Sequence, residues 1–162
     1  MRMTRTIFTV AIFVSAFLLF LVQPMAGKML LPHFGGTPAV WNTCMVFFQA
    51  MLLIGYVYAH LGDRWLGSRR QAALHVVVIV AGLAFVPFHL EPGALREMEA
   101  GPTVTVLTLL GTSLGVPFFC LAATAPMLQR WFSHTDDPLA DDPYFLYAAS
   151  NAGSLLALLS YP

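Results

Sequence analysis

The chain has 162 residues, 58% of them hydrophobic and only 10% charged, and eight Lys+Arg against eight Asp+Glu leave a formal net charge of zero. Soluble domains carry about 25% charged residues, so this composition, with a mean hydropathy of +0.74, excludes a disordered chain and an ordinary cytosolic enzyme. A chain without net charge also generates no field to gather nucleic acid or acidic substrates, and a membrane is the surrounding that suits it.

The first apolar run, 7–22, follows Arg2 and Arg5 and is interrupted only by Thr9 and Ser15. A secretory signal ends in small residues at a cleavage site. This run instead continues past Gln23-Pro24 and a single lysine, Lys28, to Leu31, which predicts a retained membrane helix over 7–31. Phe34-Gly35-Gly36 breaks the pattern, and Thr37-Pro38 supplies an N-cap and a first-turn proline. A second span follows over 39–61, long enough for the roughly 20 residues that a hydrocarbon core requires. Its Trp41, Tyr56 and Tyr58 fall near the two ends, as interfacial aromatics do.

Residues 62–70, with Asp63, Arg64, Arg69 and Arg70, read as a short charged turn. A third span, 72–90, ends at Glu91-Pro92-Gly93, and Arg96, Glu97 and Glu99 make the next loop polar. The fourth span, 103–128, contains Pro117, which is expected to kink or locally unwind it. The segment 129–142 is the most polar in the chain, and Asp142-Pro143 reads as a cap-plus-proline start for a fifth span over 144–161. The expected fold is therefore an all-α integral membrane bundle of about five transmembrane helices, either alone or as part of a transporter-like domain. It forms a single domain over 1–162. The final apolar run stops at Tyr161-Pro162 without a polar flank, so a truncated C-terminal end is expected.

Counting Lys and Arg sets the expected orientation. With the N-terminus inside, Arg2, Arg5, Arg64, Arg69, Arg70 and Arg130 are cytoplasmic, and only Lys28 and Arg96 lie outside. Six against two favours a cytoplasmic N-terminus.

Polar groups at membrane depth cost free energy unless paired. Gln23 and Lys28 flank Pro24 late in the first span, and Asn42 and Gln49, two helical turns apart, share a face of the second. The four are expected to form a polar intramembrane pocket, against the plainer reading in which Lys28 snorkels outward and Gln23 bonds a neighbouring helix. Asp63 is expected to brace the helix ends by pairing with an arginine, Arg64, Arg69 and Arg70 being the nearest. Gly111 and Gly115 form a small-residue pair in the fourth span. Ala148 with Ala152 and Ser150 with Ser154 do the same in the fifth, which is the pattern of closely packed helices. Asn151, between them, is then an interhelical hydrogen-bonding group.

Cys44 and Cys120 lie inside apolar runs and read as small buried hydrophobes. The histidines His33, His60, His75 and His89 fall near span edges, and no two histidines have the spacing of a metal site on one helix. The run Asp136, Asp137, Asp141 and Asp142 reads as a solvated loop plus a helix cap. No metal, cofactor or catalytic constellation is expected from these residues.

The stretch 20–32 (Phe-Leu-Val-Gln-Pro-Met-Ala-Gly-Lys-Met-Leu-Leu-Pro) followed by 35–49 (Gly-Gly-Thr-Pro-Ala-Val-Trp-Asn-Thr-Cys-Met-Val-Phe-Phe-Gln) resembles the opening of bacterial fused major-facilitator/spermidine-synthase-like membrane proteins. Residues 125–132 and 142–154 resemble them too. In that family a multi-helix membrane domain precedes a soluble aminopropyltransferase-like domain that carries the nucleotide-binding glycines and the catalytic acid. The resemblance implies a multi-pass module of the bacterial inner membrane that anchors or serves a synthase-like domain absent from this chain. The turn 63–70 also resembles the major-facilitator signature between the second and third helices, departing from it by one extra residue before Gly67 and by Ala59. Two alternatives stand beside this: a transporter-like half that binds a small solute among its helices, and a structural subunit of a membrane complex. The implied partners are the lipid bilayer and a synthase-like domain or further membrane helices, with no nucleic acid.

Overall fold

The computed structural model describes residues 2–86 and 101–161. The end of the third expected span with His89, and the loop with Arg96, Glu97 and Glu99, lie outside the described residues. Within them the chain forms four helices: α1 (Arg2–Phe34), α2 (Pro38–Leu83), α3 (Pro102–Ser133) and α4 (Tyr144–Ser160).

The expectation of about five helices is not met, because the second and third expected spans belong to one element. The stretch expected as a turn holds no proline, and the helix runs on through Asp63, Arg64 and Trp65. Only Gly67 leaves helical geometry, at φ 71° and ψ 163°, a region that glycine enters without the Cβ penalty of other residues. That single residue reverses the chain. A straight helix would hold residues 59 and 71 about 18 Å apart, yet the Gln71 Nε2 donates to the Ala59 carbonyl at 2.8 Å. Likewise the Tyr58 and His75 rings lie 5.9 Å apart. α2 is thus a hairpin of two arms, 38–66 and 68–83.

α1, α2 and α3 are each long and apolar enough to cross a membrane. α4, with 17 residues, spans about 26 Å. The chain alternates direction, so the start of α1, the α2 elbow, the end of α3 and the start of α4 share one end of the bundle. α3 is the central helix, packed on α2 and on α1, while α4 lies along α1 and α1 barely touches α2.

Apolar side chains alone do not drive helices together in lipid, where close packing has to do so. The main core joins Leu19 and Leu30 of α1, Cys44, Phe47 and Phe48 of α2, and Leu109, Leu114 and Phe118 of α3, with the Phe48 and Phe118 rings 4.9 Å apart. A smaller cluster of Ile12, Phe132 and Leu146 ties α1, α3 and α4. Outward faces such as Val76, Val77, Val80 and Leu83 are exposed and apolar, a surface that lipid tolerates and water does not.

Backbones approach most closely at glycines other than those expected. A Cβ on Gly153 of α4 would overlap the Phe13 carbonyl of α1, and one on Gly55 would stand 3.0 Å from the backbone of Ala122 and Ala123. At Gly111 and Gly115 a Cβ would meet nothing within 4 Å among the described residues, so the small-residue contact lies elsewhere, and Asn151 is exposed, with no side-chain bond to another helix among the described residues. The helix starts also differ. Thr37 caps α2 as expected, its hydroxyl accepting from the Val40 N–H at 3.5 Å. α4, by contrast, starts after Pro143 with no side-chain cap, so Asp142 does not cap it. α3 stays helical through Pro117 and Pro126.

Candidate functional site

The polar residues gather at the end of the bundle that carries the arginines. Asp63, one turn before the elbow, reaches across to α3, where the Arg130 Nε donates to its Oδ2 at 2.7 Å. The brace expected at Asp63 therefore involves Arg130, and not Arg64, Arg69 or Arg70, because Asp63 lies on the helix face turned toward α3. His134 Nδ1 stands 3.8 Å from the other Asp63 oxygen and 2.9 Å from the Ser68 hydroxyl. This trio does not form a catalytic triad. A triad uses the two ring nitrogens of the histidine for different partners, whereas here Ser68 and Asp63 address the same nitrogen. The arrangement ties the elbow to the end of α3 and leaves Ser68 unactivated.

Beneath this cluster lies a buried polar layer that the sequence reading did not single out. Gln71 is fully buried, and its amide donates to Ala59 while its Oε1 accepts from the Trp131 indole N–H at 3.0 Å. One side chain thereby links both arms of α2 to α3. Gln71 follows two arginines and precedes an apolar run, so it reads as the tail of a loop. The usable signal was its place four residues before His75, on the same face of the second arm.

His75, expected at a membrane edge, is 3% exposed, with its Nε2 3.0 Å from the Thr124 hydroxyl of α3. Its Nδ1 and the neighbouring Tyr58 hydroxyl are buried with no hydrogen-bond partner among the described residues. The difference from expectation follows from the reversal at Gly67, which swings His75 onto α3.

A second ion pair closes the same end. Arg5 of α1 donates to both oxygens of Asp137 at 2.8 and 2.9 Å, and Asp137 also accepts from the Leu139 N–H at 3.0 Å. The acidic run expected to be a solvated loop therefore contains one buried residue. The Arg5 guanidinium holds the Asp137 carboxyl below the usual carboxylate range. Burial pulls the other way, and the Leu139 N–H adds to the lowering.

The four residues expected to share a pocket are placed differently. Lys28 is exposed, with its ammonium 5.6 Å from the centre of the Tyr161 ring, a cation–π contact. Gln23 is half-buried, and Asn42 and Gln49 are exposed on α2. Among the described residues no hydrogen bond joins any two of the four. Arg64, Arg69 and Arg70 are exposed, and Cys44 and Cys120 are buried free thiols. No group of three or more His, Cys, Asp or Glu that could hold a metal ion occurs among the described residues.

A cavity of about 510 Å³ opens beside the Asp63–Arg130 pair, lined by Tyr56, Ala59, His60, Asp63, Arg64, Pro126 and Arg130. Fold and site together define a helical bundle of membrane type, polar and ion-paired at one end. Comparison with protein-family models, curated proteins and solved structures finds no match to the chain.

Proposed function

We propose that the chain is a multi-pass module of a bacterial inner membrane, with a cytoplasmic N-terminus, that anchors or serves a synthase-like domain, as its resemblance to the fused family implies. The observation that carries this reading is the charged end of the bundle. Arg5, Arg64, Arg69, Arg70 and Arg130 collect there, and one ion pair ties α1 to the segment before α4 while another ties the α2 elbow to α3. By the positive-inside rule that end belongs in the cytoplasm, where it offers a soluble domain a braced platform. Counting the two arms of α2 separately, the proposed topology has five crossings and puts the end of α4 on the face opposite the N-terminus, so a cytoplasmic domain fused in the same chain requires an odd number of further spans. Reading the gene beyond codon 162 tests the proposal. A frame that adds such spans and then a glycine-rich nucleotide-binding domain supports it, while a frame that adds membrane spans alone, or stops, overturns it.

A transporter-like half is the second reading, favoured by the pairing of Asp63, in a turn that resembles the transporter signature, with Arg130 of α3. Uptake of a small cationic solute such as spermidine into proteoliposomes, lost in Arg130→Gln, is the result that would establish it.

A further inference from the structure

We propose that the cavity at the elbow is a binding site for a phosphate ester of net negative charge, held between α2 and α3 by Arg64, Arg130 and His60. The cavity wall carries unused donors. A guanidinium carries five N–H groups. Arg64 makes no hydrogen bond or ion pair among the described residues, and Arg130 spends only its Nε on Asp63. Of the ten N–H groups on the two arginines, nine remain without a partner among the described residues, five on Arg64 and four on Arg130, on two different helices that wall the same hollow. His60 and the Tyr56 hydroxyl add further polar atoms without described partners.

Among the described residues the one acid lining the cavity, Asp63, is already engaged by Arg130. With Arg64 and Arg130 at plus one each and Asp63 at minus one, the lining carries a net charge of plus one with His60 neutral. The hollow therefore favours an anion. Its donors belong to two walls, and guanidinium forks match the oxygens of a phosphate. Trp65, 73% exposed, stands beside Arg64, and a tryptophan next to arginines marks headgroup depth. Tyr56, two turns from Arg64 toward the bundle centre, joins Ala59 and Pro126 in a less polar floor. A phosphate at the arginines would thus have room for a glycerol or acyl portion below it. The same phosphate chemistry comes from an anionic phospholipid headgroup or from a soluble phosphate ester.

The test uses the whole purified chain in dodecylmaltoside micelles, titrated in separate arms with phosphatidylglycerol, phosphatidylcholine and glycerol 3-phosphate while thermal unfolding is followed. Three proteins are compared: the parent, Arg64→Gln and Arg69→Gln. Arg69 is exposed and does not line the cavity, so it reports general attraction of an anion to the basic end. Removal of Arg64 leaves no broken contact, so circular dichroism of the unliganded variant should match the parent.

The expected result is a rise in Tm with phosphatidylglycerol or glycerol 3-phosphate, weakened about tenfold in apparent Kd by Arg64→Gln, the loss of one charge-assisted contact, and kept in Arg69→Gln. A response confined to phosphatidylglycerol identifies the lipid as the source. A response to glycerol 3-phosphate identifies a soluble ester. No response to either, an equal response to phosphatidylcholine, or equal weakening by the two arginine variants overturns the site.

Discussion

Replacing Gln71 with leucine tests whether one buried amide holds the elbow together. Gln71→Leu keeps the volume roughly constant and removes both bonds, to the Ala59 carbonyl and from the Trp131 indole. The Ala59 carbonyl lies inside a helix and keeps its intrahelical donor, so the loss there is one net hydrogen bond, about 0.5–1.5 kcal/mol. The Trp131 N–H loses its described partner, and an orphaned donor costs about 1–3 kcal/mol. Polar contacts between membrane helices measure lower, near 0.6 kcal/mol on average, which places the expected loss at about 2 kcal/mol. Unfolding in mixed micelles with rising dodecyl sulfate, read by far-ultraviolet circular dichroism, gives the difference. The sharper readout is the cycle of Gln71→Leu, Trp131→Phe and the double variant. Because the pair shares one bond, the double variant should be more stable than the sum of the singles implies, by about 1 kcal/mol. Strict additivity, or a Gln71→Leu protein as stable as the parent, would refute the staple. If Gln71→Leu fails to accumulate, Gln71→Asn, one methylene shorter, should be intermediate in stability.

Four further outcomes are expected. Gly153→Ala puts a Cβ into the Phe13 carbonyl and should destabilise by about 1–3 kcal/mol, whereas Gly111→Ala, with open space around it, should gain up to about 1 kcal/mol from helix propensity; the same unfolding assay decides, and equal signs would contradict the packing. Tyr58→Phe deletes a buried hydroxyl without a described partner and should be neutral or stabilising, since no bond is lost. Asp137 is held below the usual carboxylate range, so its contribution is complete above the unfolded value of about 3.9 and fades as pH falls through the lower folded value; Asp137→Asn should flatten the acid limb of a Tm-against-pH curve. For orientation, a Thr4→Cys protein in intact cells should resist an impermeant maleimide and a Met98→Cys protein should react; the reverse labelling would invert the topology.

The all-helical character and the long apolar helices were legible from the sequence, because they depend on unbroken apolar runs and on local breakers. Thr37-Pro38 announces the start of α2, and Phe34-Gly35-Gly36 announces the end of α1. What was not legible depends on where distant segments meet. A charged stretch with two glycines reads as a loop, and only the structure separates Gly62, helical and pressed against Gln71, from Gly67, which turns the chain. The partner of Asp63 was sought among its sequence neighbours and lies on α3, 67 positions away. Asp137 likewise gains its role from Arg5, 132 positions earlier. Spacing along one helix placed Asn42 and Gln49 on a shared face, but it carries no information on whether a second helix covers that face.

The reversal at Gly67 also sets how α2 can move. Ala59 faces Gln71 and Tyr58 faces His75, pairs whose midpoints fall at 65 and 66.5, next to the glycine. A connection one residue long has no slack, so neither arm can slide along its axis past the other by even the 1.5 Å of one residue. Pistons are thereby forbidden to this pair. The freedom left is torsional, a scissoring about the Gly67 φ and ψ that is largest at the tips, Pro38 and Leu83, and vanishes at the elbow.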